Sequence, residues 1–224
     1  MLLSEAHSIL GWPSPAQVLD PTGSGARVYA DFAKRKIGAA LARRFPGLKV
    51  DTGILAADPN SESTEAPIAV VCQFPSGATI DALNEAHRLA WNFSRTALLI
   101  TLEPHRLVAW SCCQSPKESL HDRIVCDMSS AYDSLTSESQ QESVRNLLHW
   151  ISLVTGNLLK QRETQFPADG RADALLLKNL KYIRRELLKD GLPQKYCHDL
   201  LARVIFTQFL FHRKDGGSRR RPGR

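Results

Sequence analysis

The chain has 224 residues, 43% of them hydrophobic, and a formal net charge of +6. That is enough apolar content for a true core in one domain, or in a mixed domain with a helical annex. The charge is uneven: residues 213–224 hold six basic groups against Asp215 alone, while residues 1–212 hold 23 Lys+Arg against 22 Asp+Glu, so basicity belongs mainly to the tail.

The N-terminus from Met1 to Ala6 has no basic leader, and Glu5, His7 and Pro13 interrupt its apolar residues, so neither a signal peptide nor a membrane span is expected there. Five cysteines, an odd number with Cys112 and Cys113 adjacent, fit free thiols in a reducing compartment better than a disulfide framework, and the cytoplasm is the expected location.

Residues 11–25 are rich in Pro, Gly and Ser and predict a loop. Val28, Phe32, Ile37, Ala40 and Leu41 then recur with helical spacing up to Phe45-Pro46-Gly47. Leu48 to Ala56 predicts a strand. Ile68 to Cys72 is a continuous apolar run of strand length, which predicts a central strand buried on both faces. Thr79 to Asn92 is helical by the phase of Ile80, Leu83, Ala86, Ala90 and Trp91. Ala97 to Leu102 and Leu107 to Trp110 form a hairpin turned by Glu103-Pro104-His105-Arg106.

Residues 115–137 are polar, a surface excursion anchored by Ile124 and Val125. Ser137 and Gln140 match a capping box, and Val144, Leu147, Ile151, Val154 and Leu158 continue as one long helix. Leu176, Leu180, Ile183 and Leu187, interleaved with Lys178, Lys181, Arg184 and Arg185, make an amphipathic helix. Gly191 suits the left-handed residue past its end and Pro193 the start of the next helix. That helix carries Tyr196, Leu200, Leu201, Val204, Ile205, Phe209 and Leu210, an apolar band that requires a partner surface.

The run from Leu176 to Asp215, LLKNLKYIRRELLKDGLPQKYCHDLLARVIFTQFLFHRKD, resembles the helical pair preceding the catalytic domain in large adenine-specific DNA methyltransferases and fused restriction–modification enzymes. A second stretch, EAHRLAWNFSRTALLITLEPHRLVAWSCC from Glu85 to Cys113, is similar to the degenerate nuclease-like region upstream of those helices. The resemblance implies a PD-(D/E)XK-type α/β domain, whose strands display an Asp and a Glu-x-Lys around a divalent metal. Asp51 fits the strand Asp. The next strand has Val70-Val71-Cys72-Gln73-Phe74 in place of Glu-x-Lys, so no catalytic residue and no metal site are assigned, and Asp51 is expected to be a solvated strand-end residue.

Asp20-Pro21-Thr22-Gly23-Ser24-Gly25 looks like the first S-adenosylmethionine motif of adenine methyltransferases. Its lead-in, Val18-Leu19, is short for a strand, and no Asn/Asp-Pro-Pro-Tyr/Phe run follows to hold a flipped base, so no cofactor is assigned. His121, Cys126, His149, Cys112 and Cys113 lack paired zinc spacing, and His87, Trp91 and Trp110 suit core packing.

The expected architecture is therefore α/β: a small restriction-endonuclease-like mixed sheet flanked by helices over residues 1–113, a polar connection at 114–136, a helical module at 137–213 and a basic flexible tail at 214–224. The function the resemblance implies is the non-catalytic N-terminal portion of a DNA adenine methyltransferase or restriction–modification, phage-defence protein, without methyl transfer alone. It would contact DNA or scaffold a methyltransferase domain or subunit, with no membrane role. The DNA-binding candidates are Arg213, Lys214, Arg219, Arg220, Arg221 and Arg224; in the resembled enzymes the chain continues from here, so the tail is alternatively the remnant of a truncated chain. Two other functions stay open: an α/β interaction protein with no DNA role, and a methyltransferase using the Asp20–Gly25 turn.

Overall fold

The apolar run at Ile68–Cys72 becomes the second strand of a five-stranded mixed sheet in the computed structural model of the chain, which describes residues 1–93, 96–114, 120–129, 138–167 and 172–214, without the side chains of 138–140, 172–173 and 208–214. The strands are β1 (Asp51–Leu55), β2 (Ala69–Gln73), β3 (Leu98–Glu103), β4 (Arg106–Ser111) and β5 (Ile124–Ser129), and they lie side by side in chain order. All pairings are antiparallel except β2 with β3. Parallel neighbours need a crossover, and the helix predicted at Thr79–Asn92, observed as α5 (Ile80–Phe93), supplies it. The β3–β4 turn is Pro104-His105, with Glu103 opposite Arg106 as the sequence predicts.

Alternation along the strands divides the core between the two faces of the sheet. One face presents Leu55, Ala69, Val71, Leu98, Ile100, Leu102 and Leu107 to α1 (Leu3–Leu10), Trp12, α2 (Pro15–Leu19), α6 (Glu138–Leu148), α7 (Trp150–Val154) and α8 (Asn157–Gln161). The other presents Ile54, Val70, Cys72, Leu99, Val108 and Trp110 to α3 (Ser24–Ala33), α4 (Ala39–Arg44) and α5. A π turn, Lys34–Gly38, joins α3 to α4. Its wider turn keeps Ile37 and Leu41 in line with Ala26, Ala30 and Ala33, so one buried stripe runs through both helices.

Several elements depart from the sequence-based expectation. The loop expected at 11–25 contains α2, whose N-cap Ser14 accepts from Gln17 N in a capping box, and the start of α3. The polar excursion contains β5. The long helix expected after Ser137 is three helices. His149 has an extended backbone and caps α7, and Gly156 turns left-handed at φ +71° before α8. The capping box at Ser137 and Gln140 lies outside the described residues.

The chain forms two compact units, Met1–Ala172 and Asp173–Arg224. The module expected at 137–213 is thus divided: α6, α7 and α8 contribute Leu147, Leu148, Leu153 and Leu158 to the core of the first unit. The second unit holds α9 (Ala172–Lys189) and α10 (Gln194–Lys214). Gly191, at φ +87°, ends α9: its N–H donates to Leu188 O and that of Leu192 to Leu187 O, a Schellman closure. Pro193 accepts from Cys197 N at the N-cap, one place earlier than predicted. Leu176, Ile183, Tyr196, Leu200, Val204 and Phe206 are exposed on this pair, while Cys197 is fully buried. No described helix is long and apolar enough to cross a membrane.

Candidate functional site

Asp51 opens β1 and lies opposite Gln73, the last residue of β2. Both share a sheet face with Val71, because side chains two apart on a strand point the same way. Gln73 Nε2 donates to Asp51 Oδ2 at 2.9 Å, and Gln73 Oε1 accepts from Leu3 N at 2.8 Å. The start of α1 thus sits over this end of the sheet. Val71 is fully buried in the apolar cluster with Leu3 and Ala6. The pair offers a single carboxylate, with the amide already engaged, where a Mg²⁺ is usually held by one or two carboxylates together with waters and substrate phosphates. Among the described residues no three His, Cys, Asp or Glu side chains are grouped to hold a metal.

At the Asp20–Gly25 turn the glycines serve a close approach within the chain itself. A Cβ at Gly25 would lie 1.8 Å from Ser63 O and one at Gly23 2.3 Å from Ser61 O, so the backbone of residues 60–63 packs directly on both glycines. Gly23 N donates to Pro59 O, Thr22 Oγ1 to Asn60 Oδ1, and Asp20 pairs with Lys34 at 3.6 Å.

The histidines and cysteines do not converge. Cys112, Cys113 and Cys126 are buried, His121 is exposed and His149 caps α7. Burial pushes the Cys72 thiol up to about 12 and that of Cys126 to about 11, which keeps both protonated and poor nucleophiles. Trp110 Nε1 donates to Thr101 Oγ1 at 2.8 Å within the core.

His87 is fully buried on α5, with Nε2 2.8 Å from Ser111 O. Burial, followed by the charge of Arg123, lowers its pKa from 6.5, against the opposing effect of the Ser111 carbonyl. The folded chain therefore holds His87 neutral where the unfolded chain would protonate it. Its stability contribution is complete above about pH 6.5 and declines as pH falls from there toward the folded pKa. Urea titrations across that window should show this decline, and His87→Gln should flatten it; an equally steep decline in the variant would place the acid sensitivity elsewhere.

Glu85, also on α5 and nearly buried, accepts from Arg88 and from Arg44 Nη1 at 2.9 Å. The Arg88 hydrogen bonds are the main cause holding its carboxyl below the ordinary range. Arg44 belongs to a basic segment whose extent net charge conceals. Residues 27–49 hold seven Lys+Arg against Asp31 alone, whereas the rest of residues 1–172 hold 9 against 17 acidic groups. Arg27, Arg35, Lys36, Arg43, Arg44 and Lys49 are all exposed.

Of the basic residues singled out from sequence, Arg213 and Lys214 end α10, with side chains outside the described residues, and Arg219, Arg220, Arg221 and Arg224 lie wholly outside them. Sequence reasoning misses Gln73 and the α1 segment as parts of the Asp51 site; the only signal for them is the Leu3, Ala6, Leu10 spacing. Comparison with protein-family models, curated proteins and solved structures finds no match to the chain.

Proposed function

We propose that the chain is a non-catalytic DNA-contacting and scaffolding unit of a restriction–modification or phage-defence system, built on a nuclease-like α/β frame whose described residues group no set of metal ligands. The observation carrying this proposal is the Asp51–Gln73 pair beneath Leu3. The strand position that would present a second carboxylate holds buried Val71, and the lysine position holds an amide bonded to Asp51 and to backbone. The exposed apolar residues of α9 and α10 support the scaffolding half, with a methyltransferase domain or subunit as partner. Five free cysteines, all buried, accord with action in the cytoplasm.

DNA contact through the tail would be electrostatic and sequence-independent. Neutralising Arg213, Lys214, Arg219, Arg220, Arg221 and Arg224 in the full chain should lower the slope of log affinity against log salt by up to about 0.9 for each phosphate that the tail no longer neutralises, alike for duplexes of different sequence. A tail variant with the parental slope would remove the tail from the interface, and marked sequence dependence would require base readout instead.

A further inference from the structure

We propose a second phosphate-binding surface, built into the folded unit on α3, the π turn and α4, that takes the backbone of duplex nucleic acid independently of the tail. This inference rests on the DNA-contact reading above. It deepens that reading by moving part of the contact from the tail onto the domain.

The buried stripe Ala26, Ala30, Ala33, Ile37 and Leu41 fixes which side of this helical run faces the sheet. The remaining circumference carries Arg27, Arg35, Lys36, Arg43 and Arg44, with Lys49 following before β1, all exposed. Part of this set is engaged within the fold, Lys36 by the Phe32 ring, whose centroid lies 5.9 Å from its Nζ. Arg44 pairs with Glu85 and Lys34 with Asp20, and Arg35 Nε donates to the Asp31 carbonyl at 3.2 Å. Among the described residues, no ion pair engages Arg27, Lys36, Arg43 or Lys49.

Arg27, Arg35, Lys36, Arg43 and Lys49, which no ion pair offsets among the described residues, lie along one segment of a domain that is otherwise acidic, and a polyanion relieves their mutual repulsion. From Arg27 to Arg44 the helical run spans about 25 Å at roughly 1.5 Å per residue, the length of about seven phosphate steps along one duplex strand at roughly 3.4 Å each. Four of the seven basic residues in 27–49 are arginines, whose planar guanidinium matches a phosphate through two parallel hydrogen bonds. An anionic membrane fits less well, because the apolar stripe of this helix is spent in the core, leaving Val28 and Phe32 exposed and Tyr29 and Phe45 half-buried beside the charges. The surface also lies on the sheet face opposite Asp51 and Gln73, so it is separate from the place where a nuclease of this frame would hold its scissile phosphate.

The test uses the full chain, with R27Q/R35Q/R43Q made in both the parental and the tail-neutralised backgrounds. Fluorescence-anisotropy titrations against a random-sequence duplex are run over a series of salt concentrations. The triple variant should lower the log–log salt slope by about 2.7, about 0.9 for each of three phosphates, and weaken affinity more than about tenfold near physiological salt, in either background. R27K/R35K/R43K should keep the parental slope. If the triple neutralisation unfolds, R43Q alone should lower the slope by about 0.9. Parental slope and affinity in the neutralised variant would overturn this surface while leaving tail-mediated DNA contact standing. An intact chain that binds no duplex, or that prefers phosphatidylserine vesicles to duplex, would overturn this surface and the DNA-contact reading together.

Discussion

Trp12→Ala should destabilise the first unit by about 3–5 kcal/mol, the usual range for deleting a large buried aromatic. Trp12 is 1% exposed and packs with Leu3, Leu10 and Leu148 on one face of the sheet. Its Nε1 donates to Leu148 O at 2.8 Å, so the indole ties the segment after α1 to the end of α6, 136 residues away. Truncation removes apolar packing and also leaves a buried carbonyl without that donor, which adds to the cavity cost. Urea denaturation of the full chain measures the effect. A change below about 1 kcal/mol, the scale of a surface substitution, would mean that α1 and α6 are not part of one core with the sheet.

Writing a Glu-x-Lys motif into β2 should damage the fold before it creates an activity. Val71→Glu together with Gln73→Lys writes Glu-x-Lys onto β2 opposite Asp51, but position 71 is fully buried among Leu3, Ala6 and Leu98. A carboxylate there is desolvated, and a lysine at 73 would remove the amide that bridges Asp51 and Leu3 N. An uncompensated buried charge typically costs about 3–5 kcal/mol, so the double variant should melt at markedly lower urea, with little recovery on adding Mg²⁺. Near-parental stability with metal-dependent DNA cleavage would show that the frame has room for a metal and that two residues are enough to supply it.

How much of this is legible in the sequence depends on whether local pattern or distant contact decides each element. β2, α5 and the β3–β4 hairpin are legible because run length, phase and a turn proline are local signals. β5 is not: Ile124, Val125 and Cys126 are a short apolar group among polar residues, and the strand is fixed by pairing with β4, where Arg106 clamps Asp127 through two hydrogen bonds. The break at His149 and Gly156 is hidden because apolar spacing continues across both positions, and spacing carries no information about backbone angles. At the candidate site, Asp51 and the run Val70-Val71-Cys72-Gln73-Phe74, which holds no Glu-x-Lys, can be read directly. The hydrogen bond from Leu3 to Gln73 spans 70 residues and has no local signature. The basic row on α3 and α4 is masked because a net charge of +1 over residues 1–212 averages a basic segment against an acidic remainder.

The central claim, DNA contact without DNA chemistry, is tested by incubating an end-labelled random-sequence duplex with the full chain in Mg²⁺ and resolving each sample on native and denaturing gels. The expected result is a duplex retarded on the native gel, with retardation weakening steeply as salt rises, and full-length strands on the denaturing gel. Cleavage fragments that disappear with Asp51→Ala would contradict the claim, as would a duplex that is never retarded.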